Sequence, residues 1–194
     1  MELIPADYFR HLKPEEIFPE TDRPLEVDVG CGDGTFLMEM SAHFKERNFL
    51  GIERLLGRVD KICRKSKRRN LTNLRVLRME SSYALGWLLP EQCASRVHLL
   101  FPDPWPKKRH EHNRFINTEN LPCLHRVLKP EGQFLFKTDH EDYYVAATEI
   151  IDASPLFKRI PWLEETEFYP QTDFEGIWLN EGKSIFSARY VKVG

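Results

Sequence analysis

The stretch Leu25-Glu-Val-Asp-Val-Gly-Cys-Gly-Asp-Gly34 joins an apolar strand pattern to three glycines within five positions. Residues 25–29 predict a buried strand, and the apolar residues at three- to four-residue spacing over 36–44 predict a helix. A strand, a glycine turn and a helix in this order are typical of a nucleotide-binding turn, because glycines let the backbone turn sharply and approach a ligand closely.

The same alternation of strand and helix continues along the chain. Strands are predicted at 48–53, 74–79, 97–101 and 133–137, and helices at 55–69, 84–89, 118–128 and 141–153. This alternation predicts a parallel sheet with helices on both faces. Segments 157–160 and 184–191 predict a terminal antiparallel pair. The expected fold class is therefore α/β, with a Rossmann-like sheet that is mostly parallel and has an antiparallel C-terminal strand.

Composition limits the class of protein. A chain of 194 residues with 41% hydrophobic and 30% charged residues is ordinary for one globular domain. We expect an N-terminal arm over 1–24, with at most a short helix around 5–12, followed by a single domain over 25–194. We find no apolar run of membrane-spanning length, no signal-peptide pattern, no CxxC pair and no HExxH motif. These features predict a cytoplasmic protein without membrane association or a metal site.

The glycine loop departs from the dinucleotide fingerprint GxGxxG, because position 35 is Thr and the third glycine is Gly34. Asp28 and Asp33 flank the first two glycines, Gly30 and Gly32. Two carboxylates would repel a pyrophosphate but attract a cation. We therefore predict S-adenosylmethionine as the cofactor of this loop, since its sulfonium and ammonium groups are positive.

Further acids follow the next three predicted strands. Glu53 closes the second strand, Glu80 follows the third, and Asp103 follows the fourth. The carboxyl ends of parallel strands line the ligand crevice of an open sheet, so these acids and Asp28 are predicted to bind the cofactor. Glu53 is placed to accept both hydroxyls of a ribose. The alternative for each acid taken singly is a helix N-cap or a solvated turn.

Residues 99–110 read LLFPDPWPKKRH, with prolines at three alternate positions. Because proline restricts itself and the residue before it, Phe101, Asp103 and Trp105 are predicted to be extended. We call residues 101–106 the proline ledge. A carboxylate, an indole and the cations of 107–109 suit a polyanion that carries a base. The alternative is a solvated loop, and for Trp105 we favour packing against the end of the sheet over base stacking.

Basic residues are concentrated, although the net charge is only −2. One cluster contains Lys61, Arg64, Lys65, Lys67, Arg68 and Arg69, and another contains Lys107, Lys108, Arg109 and Arg114. Two basic clusters in a nearly neutral chain fit a protein that meets phosphates on one face. For the first cluster, on a predicted helix, a solvated face and a nucleic-acid contact both stay open.

These motifs together resemble those of the bacterial tRNA (guanine-N7-)-methyltransferase family, over about residues 25–189. FPDPWPKKRH (101–110) is the most specific, and DVGCGDG, GIE (51–53), KTD (137–139) and TDFE (172–175) match in order and spacing. The resemblance implies an α/β methyltransferase sheet and transfer of a methyl group from S-adenosylmethionine to N7 of guanosine in the variable loop of tRNA. It also implies that no protein partner is obligatory, and we expect a monomer or homodimer.

The resemblance assigns residues as well. It implies that Asp103 is catalytic and that Asp28, Glu53, Glu80 and Asp103 bind the cofactor. It implies substrate contacts by Lys107, Asp139, Thr172, Asp173, Phe174 and Glu175, and we add Arg109 as a phosphate contact. Guanine N7 has a free lone pair, so positioning and charge stabilisation are the main tasks. A carboxylate beside the base, Asp103 or Asp139, would accept hydrogen bonds from N1–H and the exocyclic amine.

Two other functions stay open on the sequence alone. The first is a methyltransferase for another RNA, a protein or a small molecule; the two basic clusters argue against a protein or small-molecule substrate. The second is a non-catalytic RNA-binding module of the same fold. The acids at the strand ends argue against it, because a protein that only binds RNA has no need of them.

Overall fold

The computed structural model describes residues 1–164 and 166–194, and within these ranges eight strands form one sheet. The strands are β1 (Glu2–Leu3), β2 (Leu25–Val29), β3 (Asn48–Glu53), β4 (Leu74–Arg78), β5 (Ala94–Leu100), β6 (Leu128–Thr138), β7 (Phe157–Ile160) and β8 (Phe186–Lys192). Their order is β1-β4-β3-β2-β5-β6-β8-β7. Strands β1 to β6 pair in parallel, whereas β8 is antiparallel to both β6 and β7. The predicted fold class is confirmed.

Helices cover both faces of the sheet. They are α1 (Pro14–Ile17), α2 (Thr35–His43), α3 (Leu56–Arg68), α4 (Ser81–Tyr83), α5 (Leu121–Val127), α6 (Glu141–Asp152) and α7 (Asp173–Asn180), with a π-helical turn at Ala84–Leu88 and a 3₁₀ helix at Lys108–Asn113. Successive strand residues such as Phe49 and Leu50 enter different core clusters, as the pleat requires. One cluster packs α2 and α3, and the other packs α5 and α6. Among the described residues, no helix combines the length and the apolar character that crossing a bilayer needs.

The chain order places a crevice above β2. After β2 the chain builds β3 and β4 on one side and then returns to place β5 and β6 on the other side. Such a reversal of strand order separates the loops after the two central strands, and ligands of open α/β sheets bind there. The glycine loop follows β2 and the proline ledge follows β5, so both border this crevice.

Some predicted elements differ in their bounds, most clearly the helix expected around 5–12 and the strand expected at 133–137. The helix expected around 5–12 is found at Pro14–Ile17, and residues 1–24 also contribute β1 and the buried side chains Leu3, Leu12 and Phe18. Residues 129–132, predicted to stop a helix, already belong to β6. Glu131 has a positive φ of 59° there, and the register between β5 and β6 shifts beside it. Strand β6 therefore includes residues 129–132, whose sequence is typical of a turn, by means of a bulge-like shift in its pairing with β5.

The glycine loop is fixed by close packing from β3. A Cβ added at Gly51 would lie 2.6 Å from both Cys31 Sγ, inside the loop, and Leu37 Cδ1, in α2. The side chains of the loop and of α2 therefore fill the space above this strand position.

Gly51→Ala should lower the free energy of unfolding by about 1–3 kcal/mol, because the added methyl group has no space in a packed core. Urea denaturation measures this change. Gly57→Ala in α3 is the matched control, since its Cβ meets nothing within 4 Å. In the control, the free energy of unfolding should rise by about 0.5–1 kcal/mol, because Ala has a higher helix propensity than Gly. A Gly51→Ala variant as stable as the unsubstituted protein contradicts the packing described here.

Candidate active site

Asp28 is a buried carboxylate with no partner. It lies at the carboxyl end of β2, is 3% exposed, and forms no side-chain hydrogen bond or ion pair with any described residue. Burial, together with the charge of Glu53, raises the pKa of Asp28 from 3.8 to about 7. Folding therefore leaves a carboxylate that is only partly ionised near neutral pH and that a neighbouring cation would stabilise.

Glu53, at the end of β3, is equally buried, and each of its carboxylate oxygens accepts a hydrogen bond from a backbone amide. Its Oε2 accepts a hydrogen bond from the Gly32 amide at 3.2 Å, and its Oε1 accepts one from the Leu55 amide at 2.9 Å. Arg58 approaches Oε2 at 3.5 Å. Glu53 thus ties the glycine loop to β3 and holds the loop over the crevice.

The loop is open where a ligand would lie. Gly30, Gly32 and Gly34 have φ values of 73°, 56° and 73°, a left-handed conformation that glycine adopts without strain. A Cβ added at Gly30 or Gly32 meets nothing within 4 Å, so space remains above the loop. Open space over an unpartnered buried carboxylate suits a cationic ligand. S-adenosylmethionine fits this site, because its sulfonium and ammonium groups are positive.

Glu80 and Asp103 are exposed at the ends of the neighbouring strands. Glu80 is the N-cap of α4, where its two carboxylate oxygens accept hydrogen bonds from the Ser82 amide at 2.9 Å and the Tyr83 amide at 2.8 Å. The N-cap alternative therefore describes Glu80 in this conformation. Asp103 lies on the proline ledge without a side-chain partner among the described residues. The structure brings Asp28 and Glu53 together, whereas Glu80 and Asp103 lie on the surrounding loops.

The proline ledge is bent, and the prediction that it is extended was wrong. Phe101 and Trp105 have φ values of 53° and 44°, a costly left-handed conformation for such side chains. The Phe101 amide donates to the Lys137 carbonyl at 2.8 Å, which turns the chain at the end of β5. Trp105 is half-buried and contacts His110 edge-on at 5.9 Å, and it belongs to neither core cluster. Long-range contacts therefore override the local preference imposed by proline.

Arg114 fixes the ledge, and it does not belong to the basic surface predicted for it. It is 7% exposed, and its Nε donates to the Pro104 carbonyl at 2.9 Å. Its guanidinium also lies 5.2 Å from the centre of the Tyr143 ring. Lys107 and Arg109, by contrast, are exposed beside the crevice.

The TDFE stretch opens helix α7, which the sequence analysis missed. Thr172 is the N-cap, and its Oγ1 accepts a hydrogen bond from the Glu175 amide at 3.0 Å. Asp173 accepts a hydrogen bond from Thr35 Oγ1 at 2.8 Å, which joins α7 to the first residue of α2. A Thr followed three residues later by Glu is a helix-start pattern, so the sequence did contain the signal.

Glu175 is the third buried carboxylate of the site, after Asp28 and Glu53. It is 6% exposed, and its Oε1 lies 2.6 Å from Lys137 Nζ at the end of β6. Its Oε2 is buried and has no hydrogen-bond partner among the described residues. A buried oxygen that lacks a donor carries a free-energy cost, and a ligand that supplied a donor would remove that cost.

The remaining predicted residues surround α7. Asp139, after β6, pairs with Lys183 at 3.5 Å, and Lys183 also lies 3.3 Å from the centre of the Trp178 ring. Phe174 is 44% exposed, and its ring is stacked with that of Trp178 at 6.4 Å. Asp139, Phe174 and Glu175 thus share one corner of the carboxyl edge.

The sequence analysis did not predict a buried polar network that lies under the crevice. His98 is fully buried; its Nε2 lies 2.9 Å from Glu26 Oε2, and its Nδ1 lies 3.0 Å from the Tyr169 hydroxyl. Arg47 donates to the other Glu26 oxygen at 2.8 Å. Glu26 and His98 are 72 positions apart in sequence, so no local sequence pattern predicts their contact. The network joins β2 to β5 and holds Tyr169 beside Phe36 of α2.

Comparison with solved structures defines the class of the fold. A SAM dependent methyltransferase from Aquifex aeolicus superposes with a TM-score of 0.61 over 97% of this chain and 94% of that chain, at 17% identity. The aminoglycoside resistance methyltransferase NpmB1 gives a TM-score of 0.61 over 94% and 95%, at 18% identity. The fold is that of the S-adenosylmethionine-dependent methyltransferases.

Sequence comparison is more specific. A family model described as putative methyltransferase matches residues 22–188. Relatives named tRNA (guanine-N(7)-)-methyltransferase include those of Chlamydia felis, at 31% identity over 97% of this chain and 87% of that protein, and of Geobacter metallireducens, at 30% over 93% and 92%. The chain belongs to the tRNA (guanine-N(7)-)-methyltransferase family, as its motifs predicted. It spans 62% of the length of the Thermotoga maritima relative, with 34% identity.

The burial of Asp28 makes stability depend on pH. A folded-state pKa of about 7, above the ordinary aspartate value of 3.8, means that the folded chain binds this proton more tightly than the unfolded chain. The contribution of Asp28 to stability therefore falls as pH rises from about 4 to about 7.

Asp28→Asn should remove the loss of stability that Asp28 causes as pH rises. In the cofactor-free protein it should raise the free energy of unfolding by about 2–4 kcal/mol at pH 8, and the gain should shrink towards pH 4. Urea denaturation at several pH values measures the difference. Asp60→Asn, at an exposed position on α3, is the control and should change stability little at any pH. A pH-independent effect of Asp28→Asn would show that Asp28 is not the group that titrates.

Proposed function

We propose that this protein transfers a methyl group from S-adenosylmethionine to N7 of a guanosine in the variable loop of tRNA. The observation that carries the proposal is a pair of buried carboxylates, Asp28 and Glu175, each with an oxygen that lacks a partner among the described residues. The Thr35–Asp173 hydrogen bond connects α7, which carries Glu175, to α2, which follows the glycine loop after Asp28. One carboxylate suits a cationic methyl donor, and the other suits the N–H edge of guanine.

On the donor side, the residues after β2 and β3 bind and orient the cofactor. S-adenosylmethionine, when bound, supplies a methyl group on a positively charged sulfur. Asp28 offers its buried charge to that cation and gives up its proton on binding. Glu53 accepts the ribose hydroxyls, and the backbone of Gly30, Gly32 and Gly34 approaches the ligand closely. Glu80 and Asp103 border the crevice from the neighbouring loops.

On the acceptor side, the ends of β6 and α7 bind the base. Lys137 holds Glu175 through one oxygen, which leaves Oε2 to accept a hydrogen bond from guanine N1–H or the exocyclic amine. Adenine has no N1–H, so this contact selects guanine. The hydrogen bond strengthens as positive charge develops on the base during methylation. Thr172 and Asp139 complete this side, and Phe174 offers an exposed ring for stacking.

Asp103 is proposed as the catalytic residue. Guanine N7 needs no deprotonation, because its lone pair is free at neutral pH. The rate then depends on in-line placement and on a negative group near the developing charge. Asp103 lies on the strained proline ledge between the glycine loop and the β6–α6 turn, which suits both tasks.

The cations that directly follow the proline ledge are proposed to contact the nucleic acid. Lys107 and Arg109 are exposed and are proposed to bind tRNA phosphates. Since the substrate is a tRNA, we also propose a cytoplasmic location. We propose that residues 25–194 act as one catalytic domain, as a monomer or homodimer without an obligate partner chain, with residues 1–24 packed against it.

Incubation with bulk tRNA and S-adenosylmethionine tests the reaction. We expect N7-methylguanosine in nucleoside mass analysis, mapped to the variable loop by cleavage at the modified base. Asp103→Ala should lower kcat at least about 100-fold with little change in tRNA affinity, because the carboxylate acts on the transition state.

Asp60→Ala is the matched control, since it removes an exposed carboxylate from α3 and should keep normal turnover. The catalytic role fails if Asp103→Ala turns over normally. The proposed function fails if the unsubstituted protein yields no N7-methylguanosine.

A further inference from the structure

Helix α3 has an outward face that the proposed reaction does not use. The helix buries Val59, Ile62 and Ser66 against the sheet. Its 13 residues, LGRVDKICRKSKR, carry six cations and one acid, and the cations lie mainly on the side away from the core. The chain as a whole has a net charge of −2, so this face is a local feature.

Some of these cations already have partners. Lys61 pairs with Asp33 of the glycine loop at 2.5 Å, and Arg58 pairs with Glu53 at 3.5 Å. The cations without an acidic partner among the described residues are Arg64, Lys65, Lys67 and Arg68. Of these four, Lys65 is half-buried and the other three are exposed. Positive charge is therefore available to an external anion.

We propose that the outward face of α3 is a second tRNA-binding surface, which holds phosphates of the tRNA backbone at a distance from the base that is methylated. The proposal rests on the proposed function for its choice of partner. The surface is defined by Arg64, Lys65, Lys67 and Arg68.

Spacing along the helix suits a backbone of phosphates. Arg64 and Arg68 are four residues apart and share a stripe with Lys61 and Lys65. At 1.5 Å per residue this stripe extends about 10 Å along the axis. A nucleic-acid strand in a duplex carries one phosphate per about 3.4 Å of axis, so the stripe spans about three phosphates.

The surface is continuous with the active site. The first turns of α3 contact the crevice through the Arg58–Glu53 and Lys61–Asp33 pairs. A polyanion that crosses α3 therefore reaches the edge where the glycine loop lies. A tRNA that presents its variable loop there has further backbone within reach of the helix.

A purely solvated face explains these charges less well. Cations in the last turn of a helix are favoured by its dipole, which accounts for Lys67 and Arg68. The like-charged pairs Lys61–Lys65 and Arg64–Arg68, at i,i+4 spacing, each destabilise the helix by about 0.2–0.5 kcal/mol. A bound polyanion offsets this repulsion, whereas solvent only screens it.

The test compares two charge-matched triple variants. One carries Arg64→Gln, Lys65→Gln and Arg68→Gln, which keep good helix formers on α3. The control carries Lys13→Gln, Lys45→Gln and Lys158→Gln, at exposed positions on other elements. Both lose three positive charges, so an effect of overall charge alone appears equally in both.

We expect the α3 variant to bind tRNA at least about 10-fold more weakly than the control at low salt. Its slope of log K against log salt should be shallower by about 2–3, because about 0.7–0.9 is lost per phosphate contact. S-adenosylmethionine affinity and kcat at saturating tRNA should stay unchanged. Equal slopes for the two variants would overturn the proposal, and so would a loss of kcat or cofactor affinity in the α3 variant.

A measurement on the unsubstituted protein gives an independent answer. Bound tRNA should slow acylation of Lys65 and Lys67, followed by mass spectrometry, while Lys45 and Lys158 react at their free rate. Uniform protection, or none, contradicts a docking surface on α3. Because these assays measure binding, they can fail while N7-methylguanosine still forms, and that outcome rejects the surface and leaves the proposed function intact.

Discussion

The burial of one carboxylate without a partner is the constraint on which the site depends. Asp28 is buried near the carboxyl end of the central strand β2, where desolvation and the neighbouring Glu53 both disfavour its charge. The surroundings of Asp28 suit a cationic ligand: Glu53 accepts hydrogen bonds from backbone amides, and Gly30 and Gly32 leave open space above the loop. The free-energy cost of burying the Asp28 charge is relieved when a positive ligand pairs with it, and this relief contributes to binding.

Helix α7 connects the proposed cofactor-binding side of the site to the proposed base-binding side. Its outer surface carries Phe174, Ile177 and Leu179, whereas its one buried residue is the charged Glu175. The helix is therefore held by polar contacts, to Lys137 and through Asp173 to Thr35. Polar anchors are directional, so they fix the orientation of the Glu175 oxygen more closely than an apolar contact would. The same contacts connect the proposed base-binding corner to the start of α2, the helix that follows the glycine loop.

Sequence reasoning succeeded where local patterns decide the structure. The strands around the crevice follow from short apolar runs, and the acids follow from their places at strand ends. It failed where distant residues decide. Phe101 and Trp105 depart from their extended preference, and the Lys137 carbonyl holds the turn at Phe101. Arg114 looked like a surface cation because Pro104 and Tyr143, its actual neighbours, are not adjacent to it in sequence.

The titration of Asp28 tests the account most directly. Side-chain carbonyl carbon chemical shifts, measured by NMR on the cofactor-free protein, should give Asp28 a midpoint at about pH 7. Addition of S-adenosylmethionine should lower that midpoint by about one pH unit or more, because the cation stabilises the carboxylate. A midpoint near pH 4 in the free protein, or a midpoint that the cofactor leaves unchanged, would contradict the account.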